Sequence, residues 1–228
     1  IWAIASTFLN YVVGLCLALL TNKKGIKLKG MWRTIYILPY AMPAFISLLV
    51  FRLMFNGIGP INNMLVNFGI ERIPFFTDPI LAKISVLAIN TWVGAPYFMV
   101  LLSGSLTNIS STLYEAAEID GATKMQQFKH ITLPMLLFQT APVLILSFAY
   151  NFNNFGAIYL LTDGNPVNSN LKFAGETDIL VTWLYKLTVN QQQFGMAAVI
   201  SIVLFAFIAT VSLYNFRKSK SFTEEDMI

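Results

Sequence analysis

The chain has 228 residues, of which 56% are hydrophobic and 11% charged, and nineteen Phe, nine Tyr and four Trp raise its mean hydropathy to +0.65. A soluble domain carries roughly 25% charged residues, so a soluble enzyme and a disordered tail are both excluded. A net charge of +4 would suggest nucleic acid in a soluble protein, but here the placement of fifteen Lys and Arg reports topology, and no nucleic-acid partner is expected.

The sequence opens on Ile1 inside an apolar run without an initiator Met, which reads as a fragment of a longer membrane protein. Its single Cys, Cys16, lies in that run as a packing residue and excludes a disulfide framework within the chain and a Cys-based zinc site. Five stretches have the roughly 20 apolar residues that a hydrocarbon core demands: Trp2–Leu20, Thr34–Phe55, Leu81–Gly104, Met135–Leu161 and Phe194–Phe216. Lipid satisfies no backbone group, so each is helical and the fold class is all-α, a polytopic membrane protein. Residues 1–216 form the transmembrane core, including the connector 105–134, and 217–228 a tail.

Polar connectors alternate between the two sides. The segments 21–33, 105–134 and 217–228 carry Lys23, Lys24, Lys27, Lys29, Arg33, Lys124, Lys129, Arg217, Lys218 and Lys220, against Arg72, Lys83, Lys172 and Lys186 on the other set. The positive-inside rule makes the first set cytoplasmic. Arg52 is expected to snorkel near the outer end of the second span, and Trp2, Trp32, Trp183 and Tyr185 to lie in the interfacial belts. Pro39, Pro43, Pro96 and Pro142 fall inside spans, where proline kinks a helix. Short helices are expected over Ile61–Phe68 and Thr177–Thr188.

Ion-coupled transporters place carboxylates or His within the bilayer. The third, fourth and fifth spans contain none, which disfavours a secondary transporter, and His130 stands alone in a loop, so neither a metal site nor His-based catalysis is expected. The spans carry neutral polarity instead. Asn90, Gly94 and Tyr97, with Val93 alongside, share a face of the third span, and Ser147, Asn151 and Asn154 share a face of the fourth. At ~1.5 Å per residue, Asn90 and Asn151 lie at one depth, about 14 Å from the outer ends of their spans. Amides, a hydroxyl and aromatic rings suit the hydroxyls and C–H faces of a sugar. The same residues suit polar contacts between helices, and from the residues alone both readings stand. Asn153 points away from Asn151 and is expected to serve packing or capping.

The connector 105–134 carries the strongest signal. Ser111 or Thr112 followed by Glu115 reads as a helix start, Gly121 as its stop, Thr123 as a second start and Pro134 as the return to the membrane. Glu115-Ala116-Ala117, Gly121 and Ile131-x-Leu133-Pro134 resemble the EAA loop of the permease subunits of binding-protein-dependent ABC importers. Ile37–Pro43, Asn90–Tyr97, Ser147–Phe155 and Ala174–Asp178 are similar to the larger permease subunit of maltose/maltodextrin importers.

The resemblance implies that Glu115, Ala116, Ala117, Gly121, Ile131, Leu133 and Pro134 couple the spans to an ATPase. It also implies that Asn90, Val93, Gly94, Tyr97, Ser147, Asn151 and Asn154 contact maltose or maltodextrin; Ala95, where the subfamily often has an aromatic residue, leaves other oligosaccharides open. The implied partners are a second permease subunit, two ATPase subunits, membrane lipid and an extracytoplasmic sugar-binding protein docking on outer loops that include Asp163–Gln193. No GxxxxGK[ST] loop occurs, so this chain is expected to be no enzyme and to hold no cofactor of its own, ATP and Mg²⁺ being bound by the partner ATPase. Another oligosaccharide or polyol is the alternative substrate within this architecture, and an ion-coupled transporter the competing class. The expected location is a bacterial cytoplasmic (inner) membrane.

Overall fold

The structure is a computed structural model that describes residues 1–23, 25–171 and 173–218, with side chains through Leu213. The expectations placed on Lys24, Lys172 and residues 219–228, Lys220 included, lie outside the described residues. Helices dominate: α1 (Trp2–Asn22), α2 (Lys29–Ala41), α3 (Ala44–Met54), α4 (Pro60–Asn67), α5 (Pro79–Thr107), α6 (Ser111–Ile119), α7 (Lys124–Gln127), α8 (Leu133–Phe152), α9 (Phe155–Thr162), α10 (Leu180–Tyr185) and α11 (Phe194–Lys218). Among the described residues, extended pairing is confined to an isolated bridge between Val167 and Gly175. Among the described residues four helical segments are long and apolar enough to cross a membrane, or five if α2 and α3 count as one span.

Several expected boundaries are corrected. The second span is not continuous: α2 ends at Ala41 and α3 starts at Ala44. Pro43 has no N–H to donate and disfavours helical geometry at Met42, so the ladder stops there. Nor is Met135–Leu161 one helix. Helical backbone runs from Lys124 to Phe152 and restarts at Phe155, because the Asn154 side chain accepts the N–H of Ala157 as an N-cap inside an apolar run. Asn153 is exposed and is not the cap.

Pro134 does not break the chain either. It follows a π turn, Phe128–Thr132, closed by the Leu133 N–H donating to the Phe128 carbonyl, and this wide turn gives the proline ring room where an α-helix would clash. Ser110, rather than Ser111 or Thr112, caps α6 by accepting the Thr112 N–H. The expected helix over Thr177–Thr188 begins at Leu180 and continues as a π turn to Asn190.

The chain divides into two compact units. One comprises Ile1–Ser6, Met42–Asn90 and Phe148 onward. Its core is Leu48, Val86, Ile89, Ile158 and Leu161, with Trp2, Phe51 and Phe55 packed against it. Arg52 donates to the Leu160 carbonyl at 3.3 Å, which joins α3 to α9. The loop after α9 is pinned by the Lys186–Asp178 ion pair at 2.7 Å, in which Asp178 is only 2% exposed and also accepts from Thr182 and the Gly175 N–H. A buried pair earns its place when its remaining lone pairs are satisfied, as these are.

The other unit comprises Thr7–Ala41 and Thr91–Ser147. Tyr11, Leu15 and Ala18 recur at helical spacing on α1 and pack with Phe98, Met99, Leu102 and Leu136. Thr140 spends its hydroxyl hydrogen on the Leu136 carbonyl at 2.7 Å, so Tyr11 donates to Thr140 across 3.2 Å. The buried phenol therefore meets its polar requirement without water.

Candidate functional site

The first unit gathers three asparagines into a directional relay. Asn154 Nδ2 donates to Asn90 Oδ1 at 3.2 Å, and Asn90 Nδ2 donates to Asn151 Oδ1 at 3.3 Å. Asn90 and Asn151 are 8% and 2% exposed, deep enough that an unpaired amide there would cost about 1–3 kcal/mol. The relay brings Asn90 and Asn151 into direct contact. The route differs from the expected one: Asn151 is close to the end of α8, not halfway along a span, and Asn154 reaches Asn90 from a cap position rather than from a shared helical stripe.

Asn151 also draws in a residue that the sequence reading had set in the interfacial belt. The Trp2 indole N–H donates to the Asn151 carbonyl at 3.0 Å, and the same carbonyl accepts the Asn154 N–H at 3.3 Å. Carbonyls in the last turn of a helix lack intrahelical partners, and these two donors supply them at the α8 terminus. Trp2, Phe148, Phe152 and Phe207 line a cavity of about 990 Å³ in this unit, which reaches Lys83 and Glu176, themselves an ion pair.

The second unit holds Val93, Gly94, Tyr97 and Ser147. Val93 and Ser147 are half-buried, Ala95 is buried and Tyr97 is exposed. Tyr97 lies beside Tyr40 of α2, with ring centroids 5.7 Å apart, so two partly open aromatic faces adjoin. At Gly94 a Cβ would stand 2.5 Å from Asn10 Nδ2 and 2.9 Å from Asn10 Cγ, so the Asn10 amide lies against the glycine on its Cβ side. Asn10 is 5% exposed and its Oδ1 has no hydrogen-bond partner. Asn10, Trp2 and Tyr40 were all missed as members of these groupings, since only tertiary packing connects them to α5 and α8.

The connector between α5 and α8 is in the second unit as well. Gly121 takes φ +78°, a left-handed value that suits glycine, and the Ala122 N–H returns to the Ala117 carbonyl at 2.8 Å to close α6. Thr123 and Gln126 then form a reciprocal capping box that starts α7, and Lys124 pairs with Glu118 across the turn. Tyr114 and Thr132 share a 2.8 Å hydrogen bond that holds α6 against the π turn. Glu115, Ala116 and Pro134 are exposed, while Ala117, Ile131 and Leu133 are half-buried. Ile119, 87% exposed, and Met125 add apolar surface that the motif had not singled out.

Among the described residues no three His, Cys, Asp or Glu side chains cluster to hold a metal. The relay offers neutral donors and acceptors in the first unit, and the tyrosine pair offers ring faces in the second.

Comparison with known proteins agrees with the connector. The galactooligosaccharides transport system permease protein GanP of Bacillus subtilis (strain 168) is 40% identical over 227 residues, 99% of this chain and 54% of that protein. The maltodextrin transport system permease protein MdxF of the same organism is 42% identical, covering 100% and 54%, and the maltose/maltodextrin transport system permease protein MalF of Vibrio vulnificus (strain YJ016) is 42% identical, covering 96% and 43%. The chain thus spans about half the length of the curated relatives it matches. A crystal structure of a bacterial ABC transporter involved in the import of the acidic polysaccharide alginate shares the fold, with TM-score 0.75 over 97% of this chain and 79% of that one at 23% identity. The family described as binding-protein-dependent transport system inner membrane component matches residues 10–220, and the chain belongs to it, a multi-pass membrane protein.

Proposed function

We propose that this chain is the translocation core of a permease subunit in an ATP-driven importer of maltose or maltodextrin. The observation that carries the reading is the amide relay Asn154–Asn90–Asn151, a buried set of neutral donors and acceptors in spans without a carboxylate. Hydroxyls of a sugar can exchange with such bonds one for one, whereas coupling to protons or sodium needs a group that loads and releases charge. Asn90, Asn151 and Asn154 of one unit, and Val93, Gly94, Tyr97 and Ser147 of the other, are the proposed sugar contacts.

Energy enters from partners. The connector presents Glu115 and Ala116 beside exposed Ile119 and Met125, a mixed charged and apolar face of the kind that seats in a partner's groove. Two ATPase subunits would bind ATP and Mg²⁺, a second permease subunit would complete the pathway, and a sugar-binding protein would deliver substrate on the outer face. The connector and tail face the cytoplasm in this reading, as the Lys and Arg distribution requires. The chain itself carries transport rather than catalysis.

A galactooligosaccharide is the second reading, favoured by the 40% identity to GanP over nearly the whole chain. The test is reconstitution of the assembled transporter with its binding protein. Stimulation of ATP hydrolysis by maltotriose but not by a β-galactotriose supports the first reading, and the reverse supports the second. Uptake that collapses with the proton gradient while ATP is maintained would overturn both.

A further inference from the structure

Trp2 lies well away in sequence from every residue so far proposed to contact sugar, yet it touches the backbone of one of them. Its indole N–H donates to the Asn151 carbonyl at 3.0 Å, and its side chain packs against the apolar cluster of this unit. The ring is thereby fixed from one side by apolar contacts and from the other by a directional bond. Asn151 stands at the end of α8, where the helical ladder has run out and the chain is about to break at Asn153–Asn154. A terminal turn without its carbonyl partners frays. Its other carbonyl contact, the Asn154 N–H, is long at 3.3 Å and belongs to the break itself.

We propose that Trp2 is a positioning residue for sugar recognition: its indole N–H anchors the Asn151 peptide and so sets the Asn151 amide against Asn90. This rests on the assignment of Asn151 to the sugar path. Trp2 acts through Asn151 and needs no contact with sugar. A tryptophan is suited to the task because it combines a large apolar body with one donor and no acceptor, so the indole bonds a carbonyl without competing for the amide hydrogens of the relay.

The experiment uses the complete transporter in proteoliposomes with its binding protein, and reads labelled maltotriose, or β-galactotriose if that is the sugar which stimulates the wild type, taken up per ATP hydrolysed. Trp2→Phe removes the N–H while retaining an aromatic ring, and replacement of Trp2 by β-(3-benzothienyl)alanine removes it while retaining the shape. Both should lower the ratio about fivefold, the loss expected for one hydrogen bond. A role confined to stability would reduce uptake and hydrolysis together and leave the ratio unmoved. In an Asn151→Ala background the Trp2 substitutions should have no further effect on the ratio.

An unchanged ratio in the benzothienyl variant, or an equal additional loss in the Asn151→Ala background, overturns the proposal. If Asn151→Ala itself leaves the ratio at the wild-type value, the sugar-path assignment of Asn151 fails first and the Trp2 proposal falls with it. The two failures are therefore distinguishable by the single variant at Asn151.

Discussion

Gly94→Ala should destabilise the permease through Asn10, and the defect should largely disappear when Asn10 is also replaced by alanine. The new Cβ would stand 2.5 Å from Asn10 Nδ2, 2.9 Å from Cγ and 3.1 Å from Oδ1, against about 3.5–4.0 Å for comfortable carbon contacts. Asn10 is 5% exposed and cannot swing away without displacing its neighbours. Overpacking of this kind costs about 1–3 kcal/mol. Asn10→Ala deletes the opposing atoms and a buried acceptor without a partner, so alone it should be close to neutral, a small void offsetting the relief of the orphaned carbonyl. The double variant should then behave like Asn10→Ala, a coupling of about 1–3 kcal/mol between the positions. Membrane complexes unfold irreversibly, so the measurement is the temperature at which half of the detergent-solubilised transporter is lost from its monodisperse peak at a fixed heating time. Equal losses from Gly94→Ala in the presence and absence of the Asn10 amide would refute the steric argument. A variant that keeps its thermal midpoint but loses uptake would assign the defect to direct sugar contact by Gly94 and not to packing.

Other substitutions separate the remaining roles. Asn151→Ala and Tyr97→Ala should each lower sugar uptake severalfold, leaving a measurable remainder, while the ATPase subunits still co-purify, and normal uptake in both removes the sugar-path assignment. Gly121→Val forces a β-branched residue to φ +78° and should uncouple sugar-stimulated ATP hydrolysis or dissociate the ATPase, as should Glu115→Ala by removing the exposed charge; hydrolysis and co-purification unchanged in both would exclude the coupling role. Asn154→Ser keeps a capping oxygen for the Ala157 N–H but cannot reach Asn90, so uptake should fall and the thermal midpoint should drop with the unpaired Asn90 acceptor, whereas Asn154→Ala should lose about 1 kcal/mol more through the cap. Equal thermal midpoints in the two Asn154 variants would show that the side chain does not cap α9.

The helical class and the connector were legible in sequence because each rests on local rules. Apolar runs of span length permit only helices in lipid, and Gly121 followed by Thr123 states a stop and a start within three residues, which the positive φ and the capping box realise. The break at Asn153–Asn154 was not legible. Phe155–Leu161 continues the apolar run without a proline, so hydropathy reads straight through a junction made by one side chain that caps the following helix. The prolines act differently by context: Pro43 ends a helix, while Pro134 sits beside a π turn that absorbs it. Asn10 with Gly94 and Trp2 with Asn151 were beyond any local rule, since each pairs α1 with a helix distant in sequence.

The relay also constrains how tightly a sugar can be held. Each of its amides already has a partner, so an entering hydroxyl must displace a hydrogen bond to form one, and the net gain per exchange is a fraction of the roughly 1 kcal/mol that a typical bond contributes. In the proposed reading, affinity at the relay is low while selectivity is retained: a molecule that breaks Asn90–Asn151 without replacing both ends leaves a buried amide unpaired, at a cost of about 1–3 kcal/mol. In that reading weak, directional binding suits transit, because a passenger held strongly would not be released. The anchor that Trp2 provides fits the same logic, keeping the bonds short-listed for exchange in fixed geometry without adding attraction of its own.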